Sequence, residues 1–276
     1  MPRDFKKITI PQISADHTIS KHATTPDFHL HSNYEVYVFL QGNVNYFVEQ
    51  SCYQLVRGNV LIFNSQEVHS VANLTNDTYE RLVLHFDPQF IKPFCSTQTN
   101  LLDCFTNHPP GVHNLAYLNE TKLNEYKKIF NTIRESLHNN SYGADALLNA
   151  SLIQLLVMIN KMYQENTITV LGTLPHRIQP IMNYIDMHIK EDLSLDNIAK
   201  ALSLDKYYLC HLFKKETGST LFQYIIVKRV ALAKQLLLQG KSVTEVCDAS
   251  GFNDYSNFIR TFKKVSGIPP GKYKNN

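Results

Sequence analysis

"LSLDNIAKALSLDKYYLCHLFKKETG", Leu193 to Gly218, is the stretch on which the fold turns. A run at helical spacing breaks at "LSLD" and resumes as a second run that stops at a glycine. Its end, "FKKETG" (Phe213–Gly218), returns as "FKKVSG" (Phe262–Gly267) 49 residues later. Its beginning, "LDNIAKA" (Leu195–Ala201), is echoed by "VTEVCDA" (Val243–Ala249). The turns between, "LSLD" and "SGFND", differ by one residue. Each copy therefore reads as helix, tight turn, helix, with a small residue (Ala199, Cys247) where the two helices cross closely.

The second helix of each copy divides into two faces. Leu209, Leu212 and Phe213 form an inward stripe in copy one, leaving Tyr207, Cys210, His211 and Lys214 on the opposite face. In copy two Phe258, Phe262 and Val265 point in, and Ser256, Ile259, Arg260 and Lys263 point out. Groups able to read base edges, followed one turn on by lysines for phosphates, suit a helix in a DNA major groove. A solvated face is the plain alternative for one such helix; tandem copies on a basic segment favour DNA. Between them, Thr220 to Gly240 reads as one helix packing on both halves. About twenty helical residues span about 30 Å, close to the one turn of duplex, about 34 Å, that separates successive major grooves.

Charge follows the same division. The chain carries 27 Lys+Arg against 24 Asp+Glu, but from His176 onward the count is 15 basic to 9 acidic, and before it 12 to 15. A polyanion partner is expected for the C-terminal part alone.

Residues 176–274 resemble the DNA-binding domain of AraC/XylS-family bacterial transcription regulators. The resemblance is carried by the quoted block, by "KRVALAKQLL", by Gly251-Phe252 before the last reader helix, by the repeated Phe-Lys-Lys, and by the closing Pro270-x-x-Tyr273. It implies base-reading positions at Tyr207, Cys210, His211, Ser256, Asn257 and Arg260, with Lys206, Lys214, Tyr255 and Lys263 completing the DNA-contacting set. It also implies a double-stranded operator, RNA polymerase as a partner and, on family prevalence, activation of a sugar-utilisation operon. Cys210 and Ile259 are poor hydrogen-bonders, so no operator sequence follows.

The N-terminal part has another texture. "YEVYVFLQGNVNYFVEQ", "CYQLVRGNVLIFN" and "YERLVLHFD" are strand-like and punctuated by Gly42-Asn43, Gly58-Asn59 and Asn73–Asp77, the pattern of a compact antiparallel barrel or sandwich. On a continuous strand His29, His31 and Glu35 share one face, and two imidazoles with a carboxylate can hold a transition metal. These ninety residues resemble the cupin-like effector domain that often precedes this DNA reader. His29-x-His31-x3-Glu35-x6-Gly42 fits the first cupin motif; Gly58, His69 and Asn73 partly fit the second, with Asn64 and Gln66 where Pro and Gly are expected. Three readings stay open: a metal-dependent enzyme using His29, His31, Glu35 and His69; a scaffold whose polar groups bind a small effector; or histidines that only cap loop carbonyls. The resemblance favours sensing, without catalysis and without a cofactor. The expected effector site is His29, His31, Glu35, Tyr37, His69 and Arg81, a set suited to hydroxyl-rich or carboxylate ligands such as a sugar. The arm Met1–Ser14 is a candidate cover for it. Control by abundance or by a protein partner, without any effector, is the further alternative.

The expected architecture is multidomain α+β. Residues 1–115 form a cupin-like barrel, 116–165 a helical dimerisation segment, 166–175 a linker, and 176–276 an all-α domain of two helix-turn-helix motifs joined by a linker helix. The girth of Leu147–Met162 is apolar enough to predict a homodimer. Five cysteines without C-x-x-C spacing, no apolar leader and no run of about 18 apolar residues point to a cytoplasmic protein without a membrane span. No nucleophile elbow or phosphate-cradling glycine loop appears. His108 and His113, in a Pro-rich loop, read as incidental.

Overall fold

The computed structural model describes residues 13–21, 27–165 and 172–274. Most of the arm proposed as a cover therefore lies outside the described residues. Two antiparallel sheets face each other. One carries, in spatial order, β1 (Ser14–Ser20), β7 (Tyr79–Phe86), β2 (Tyr34–Gln41), β5 (Asn59–Phe63) and β8 (Leu115–Tyr117). The other carries β4 (Ser51–Gln54), β3 (Val44–Val48) and β6 (His69–Asn73).

Strand β2 lacks a polar face because both its faces are covered. Val36, Val38 and Leu40 pack outward, while Tyr37 and Phe39 face the second sheet. In β7, Leu82, Leu84 and Phe86 join the outer layer, and Tyr79 and Val83 line the space between the sheets with Arg81 and His85 in phase. The β2–β3 turn needs Gly42, whose φ is +136° and whose added Cβ would lie 3.3 Å from the Tyr79 ring.

Helices α3 (Glu120–His138) and α4 (Ala144–Glu165) close the outer face, with the short α1 (Pro88–Ile91) and α2 (Asp103–Thr106) beside them. Asn119 starts α3 by accepting the Lys122 N–H. By length and composition α4 could cross a bilayer, but Leu148, Leu152, Leu155, Leu156, Ile159 and Met162 are core. Its girth meets α2, α3 and β8 of its own chain rather than one neighbour. Leu147, 51% exposed, remains outside.

The C-terminal half contains α5 (Gln179–Met187), α6 (Leu195–Ala201), α7 (Lys206–Thr217), α8 (Leu221–Leu238), α9 (Val243–Ala249), α10 (Tyr255–Ser266) and α11 (Pro270–Tyr273). The repeated turns are alike in detail. Left-handed residues stand at equivalent places, Ser203 (φ 53°) and Gly251 (φ 82°). Leu204 N–H then reaches the Ala199 carbonyl at 2.9 Å, and Phe252 N–H the Cys247 carbonyl at 3.1 Å. Asp205 and Asp254 cap the second helices. The first half of α8 (Leu221, Tyr224, Ile225, Val227) packs with module one, and its second half (Val230, Ala233, Leu236, Leu237) with module two. One rod holds both readers.

The core of module one does not stop at the module. It includes Phe28, Leu30, Phe47, Cys52, Val68 and Ala72 from the barrel. Of the stretch expected as a linker, Leu174 is likewise buried in that core.

Candidate functional site

Two surfaces collect the residues singled out above. On α7, Lys206, Tyr207, His211 and Lys214 are exposed and Cys210 is half-buried. Tyr207 stands 77% exposed, a large ring with no core to enter. Lys206 pairs with Asp196 at 3.2 Å. On α10, Tyr255, Ser256, Arg260 and Lys263 are exposed, whereas Asn257 is half-buried, its Oδ1 accepting from Arg260 Nη2 at 3.1 Å. Ile259, expected outward, is half-buried against the module-two core, where its apolar side chain is favoured over water. Both faces are open to solvent, and each helix ends in two lysines, Lys214-Lys215 and Lys263-Lys264.

The second is buried between the sheets, where Tyr37, Tyr46, Phe63 and Tyr79 pack as one cluster. His29, His31 and Glu35 do not share one continuous strand. His29 makes an isolated bridge to His69, the chain bends at Ser32-Asn33, and β2 begins only at Tyr34. The side chains converge nonetheless. Glu35 Oε2 lies 2.7 Å from His31 Nε2, 3.1 Å from His85 Nε2 and 3.5 Å from His69 Nε2. Phe63 stacks on the His69 ring at 4.3 Å.

Burial pushes the Glu35 carboxyl up, but the surrounding imidazoles of His31, His69 and His85 more than offset this and hold it well below the usual range. Burial lowers His31, and lowers His29 to about 3 with the help of His69. Burial also acts downward on His85, yet its hydrogen bond to Glu35 and the charges of Glu35 and Asp16 leave it raised. His85 is the member of this cluster not expected from the sequence. Its position on the Tyr79-Arg81-Val83 face was readable from strand alternation, but no role followed from that.

Further along the same inter-sheet layer the Tyr37 and Tyr79 hydroxyls are 2.6 Å apart, and the Arg81 guanidinium sits 4.4 Å over the Tyr79 ring. Arg81 Nη1 is buried with no hydrogen-bond partner among the described residues. Tyr46 packs between Tyr37 and Phe63. The six residues expected at the effector site lie between the sheets or in the histidine cluster.

His108 is not incidental. Its side chain is buried, with Nδ1 3.8 Å from Glu67. The fully buried Glu67 carboxylate accepts from Asn114 Nδ2 and from the Asn64 and Gly111 N–H groups. Burial raises this carboxyl, against the opposing pull of His108 and those donors. The cluster ties loop 108–114 to the barrel, a structural duty invisible in the loop's composition.

A two-sheet domain with polar side chains gathered between its sheets, joined to two solvent-facing helix-turn-helix modules, is the architecture of a DNA-binding regulator with a ligand-binding domain. Residues 17–156 match the AraC-like ligand binding domain, and residues 198–276 match a helix-turn-helix domain. The chain is 24% identical over 255 residues to the "Uncharacterized HTH-type transcriptional regulator YdeC" of Bacillus subtilis (strain 168), spanning 89% of this chain and 85% of that protein. It is 25% identical over 252 residues to the "Probable transcriptional regulator LumQ" of Photobacterium leiognathi, spanning 90% and 91%. Among solved structures, unsaturated fatty acid bound ToxT from Vibrio cholerae strain SCE256 aligns with a TM-score of 0.41 at 16% identity, over 95% of this chain and 94% of that one. The chain belongs to the AraC family of transcriptional regulators, which are not enzymes.

Proposed function

We propose that this regulator reads its operator with the exposed faces of α7 and α10 and is switched by a small hydroxyl-bearing molecule, a sugar or sugar acid, held between the two sheets beside Arg81. On α7, Tyr207, Cys210 and His211 meet base edges, with Lys206 and Lys214 on phosphates. On α10, Ser256, Asn257 and Arg260 meet bases, with Tyr255 and Lys263 on the backbone. The observation that carries the effector half is Arg81. A buried guanidinium nitrogen without a partner costs free energy until an acceptor arrives. A ligand carboxylate or hydroxyl supplies that acceptor beside the Tyr37–Tyr79 pair. His31, Glu35 and His69 serve the same ligand.

The test is thermal stabilisation of the full chain across a panel of sugars and sugar acids, repeated with Arg81→Met, which keeps the stem and removes the fork. The proposal expects a shift with some panel members that vanishes in the variant. No shift across the panel, or one indifferent to the substitution, refutes it.

A homodimer joined through the outer side of α4 around Leu147 sets two such readers on repeated half-sites. Leu147→Glu should halve the sedimenting mass; an unchanged mass removes this helix from the interface. An activating role through RNA polymerase rests on the family resemblance alone.

A further inference from the structure

Arg260 does not leave α10 as a free side chain. Its Nη2 donates to Asn257 Oδ1 at 3.1 Å, one helical turn back. Thr261 Oγ1 donates to the same oxygen at 3.3 Å. A guanidinium only donates, so the amide atom facing it must be the oxygen and not Nδ2. The backbone of Asn257 is fixed as well, its N–H donating to the Asp254 carboxylate that caps the helix. A capped first turn therefore holds the amide, and the amide holds the guanidinium.

This division of donors and acceptors decides what each side chain can read. A carbonyl oxygen has two lone pairs, and Arg260 and Thr261 take both. Asn257 is left to offer Nδ2, a donor only. Recognition of adenine by an asparagine needs both amide atoms, the oxygen for N6–H and the nitrogen for N7. With its oxygen engaged, Asn257 lacks half of that contact. Arg260 keeps a reading edge. Nη2 carries two hydrogens, one shared with the Nη1 edge of the fork and one with the Nε edge. Whichever of them Asn257 takes, one two-donor edge remains, and it matches the O6 and N7 acceptors of guanine.

The repeat supplies an internal comparison. At the offset of 49 residues, the places of Asn257, Arg260 and Thr261 are held in module one by Tyr208, His211 and Leu212. Leu212 is part of the core and has no donor to give. No bond of the Asn257–Arg260 kind braces His211 among the described residues. The two readers are therefore built alike in backbone and differently in how their base-reading side chains are held.

We propose that Asn257 is a positioning residue that fixes the Arg260 guanidinium before DNA arrives, so that α10 selects guanine at one operator position. The proposal deepens, and rests on, the reading of α7 and α10 as the DNA-contacting helices. An unbraced arginine gives up the freedom of a long side chain when it binds; here part of that loss is met on folding. Removing the brace should lower discrimination for guanine by roughly three- to tenfold, the effect of immobilising one rotamer-rich side chain.

The experiment is selection from a random-sequence duplex pool by the full chain. The selected duplex is then titrated beside a copy carrying 7-deazaguanine, which lacks the N7 acceptor. Wild type should select a guanine column that Arg260→Ala abolishes. Asn257→Ala should weaken that same column, and the penalty for 7-deazaguanine should shrink with it by roughly three- to tenfold. As a second variant, Asn257→Asp keeps an acceptor for the fork and should keep the guanine column, while its charge weakens binding to every duplex alike. If Asn257→Ala weakens all columns together and the aspartate does not restore the guanine preference, the residue is only structural and the proposal is overturned. An adenine column lost in Asn257→Ala, with the guanine column intact, overturns it too, because the amide then reads a base by itself. So does a consensus without any guanine that depends on Arg260. A wild-type pool that stays random refutes the reading of the two helices themselves, an outcome distinct from a failure confined to Asn257.

Discussion

Replacing Phe28 by alanine removes a side chain with no exposed surface, set between a barrel residue, Phe47 at 6.0 Å, and two residues of the DNA-binding half, Tyr224 and Phe213. Truncating a core phenylalanine costs about 3–5 kcal/mol, through lost transfer energy and the cavity left behind. Two of the three ring contacts lie across the junction between the halves, so most of that loss falls on docking. Taking about two-thirds of it gives roughly 2–3 kcal/mol, or about a 30- to 150-fold shift toward the undocked arrangement. Hydrogen exchange by mass spectrometry reads this directly. Amides in the first half of α8 should exchange faster in the variant, while α3, α4 and the second module keep wild-type rates. If α8 exchanges as before, or if the whole chain melts as one unit at a lower temperature, the ring is ordinary core and the argument for a separable junction fails.

Other consequences are equally direct. Lys228 meets Glu49 of the barrel and Asp186 of α5, its amine pushed up by these carboxylates against the opposing effect of burial. Lys228→Met strands two carboxylates and should cost about 3–5 kcal/mol in urea midpoint analysis; a change under about 1 kcal/mol would show the pair to be solvated. Gly251 adopts φ 82° with the Ile189 carbonyl 2.6 Å from an added Cβ. Gly251→Ala should destabilise module two by about 1–3 kcal/mol, seen as a lower melting temperature; wild-type stability would mean that the turn relaxes freely. Arg260→Ala should cost about 1–3 kcal/mol of operator affinity and relax one base position. Lys263→Ala should weaken all duplexes alike and flatten the salt slope by about one unit. A sequence-selective loss at Lys263, or none at Arg260, would reverse the two assignments.

The helical half was legible because its information is local. Helix, left-handed turn and cap lie within one stretch, and the pair Ser203/Gly251 repeats even where the turn lengths differ. The inward stripes of α7 and α10 also emerge as read, since a 3.6-residue period needs no knowledge of the partner. The layer between the sheets was legible in part. Strand alternation set His85 and Arg81 on one face, but the bend at Ser32-Asn33 breaks the single strand on which His29, His31 and Glu35 were aligned. Convergence there depends on the bridge to His69, a contact 40 residues away in sequence. His108 read as incidental because its loop is rich in proline; the buried Glu67 beside it cannot be seen from the loop. Least legible was the junction. Phe28 and Lys234, which donates to the His31 and Ser65 carbonyls, carry no motif, and hydropathy says only that α8 is buried, not that part of what buries its first half belongs to the barrel.

The central claim is that two reader helices on one rod face adjoining grooves of a duplex. Hydroxyl-radical footprinting of the full chain on DNA from its own upstream region tests this most directly. The account predicts two protected patches on one face of the duplex, about 10 base pairs apart, with Arg260→Ala erasing contrast in one and His211→Ala in the other. A single patch, or uniform protection that fades with salt and ignores sequence, would contradict it.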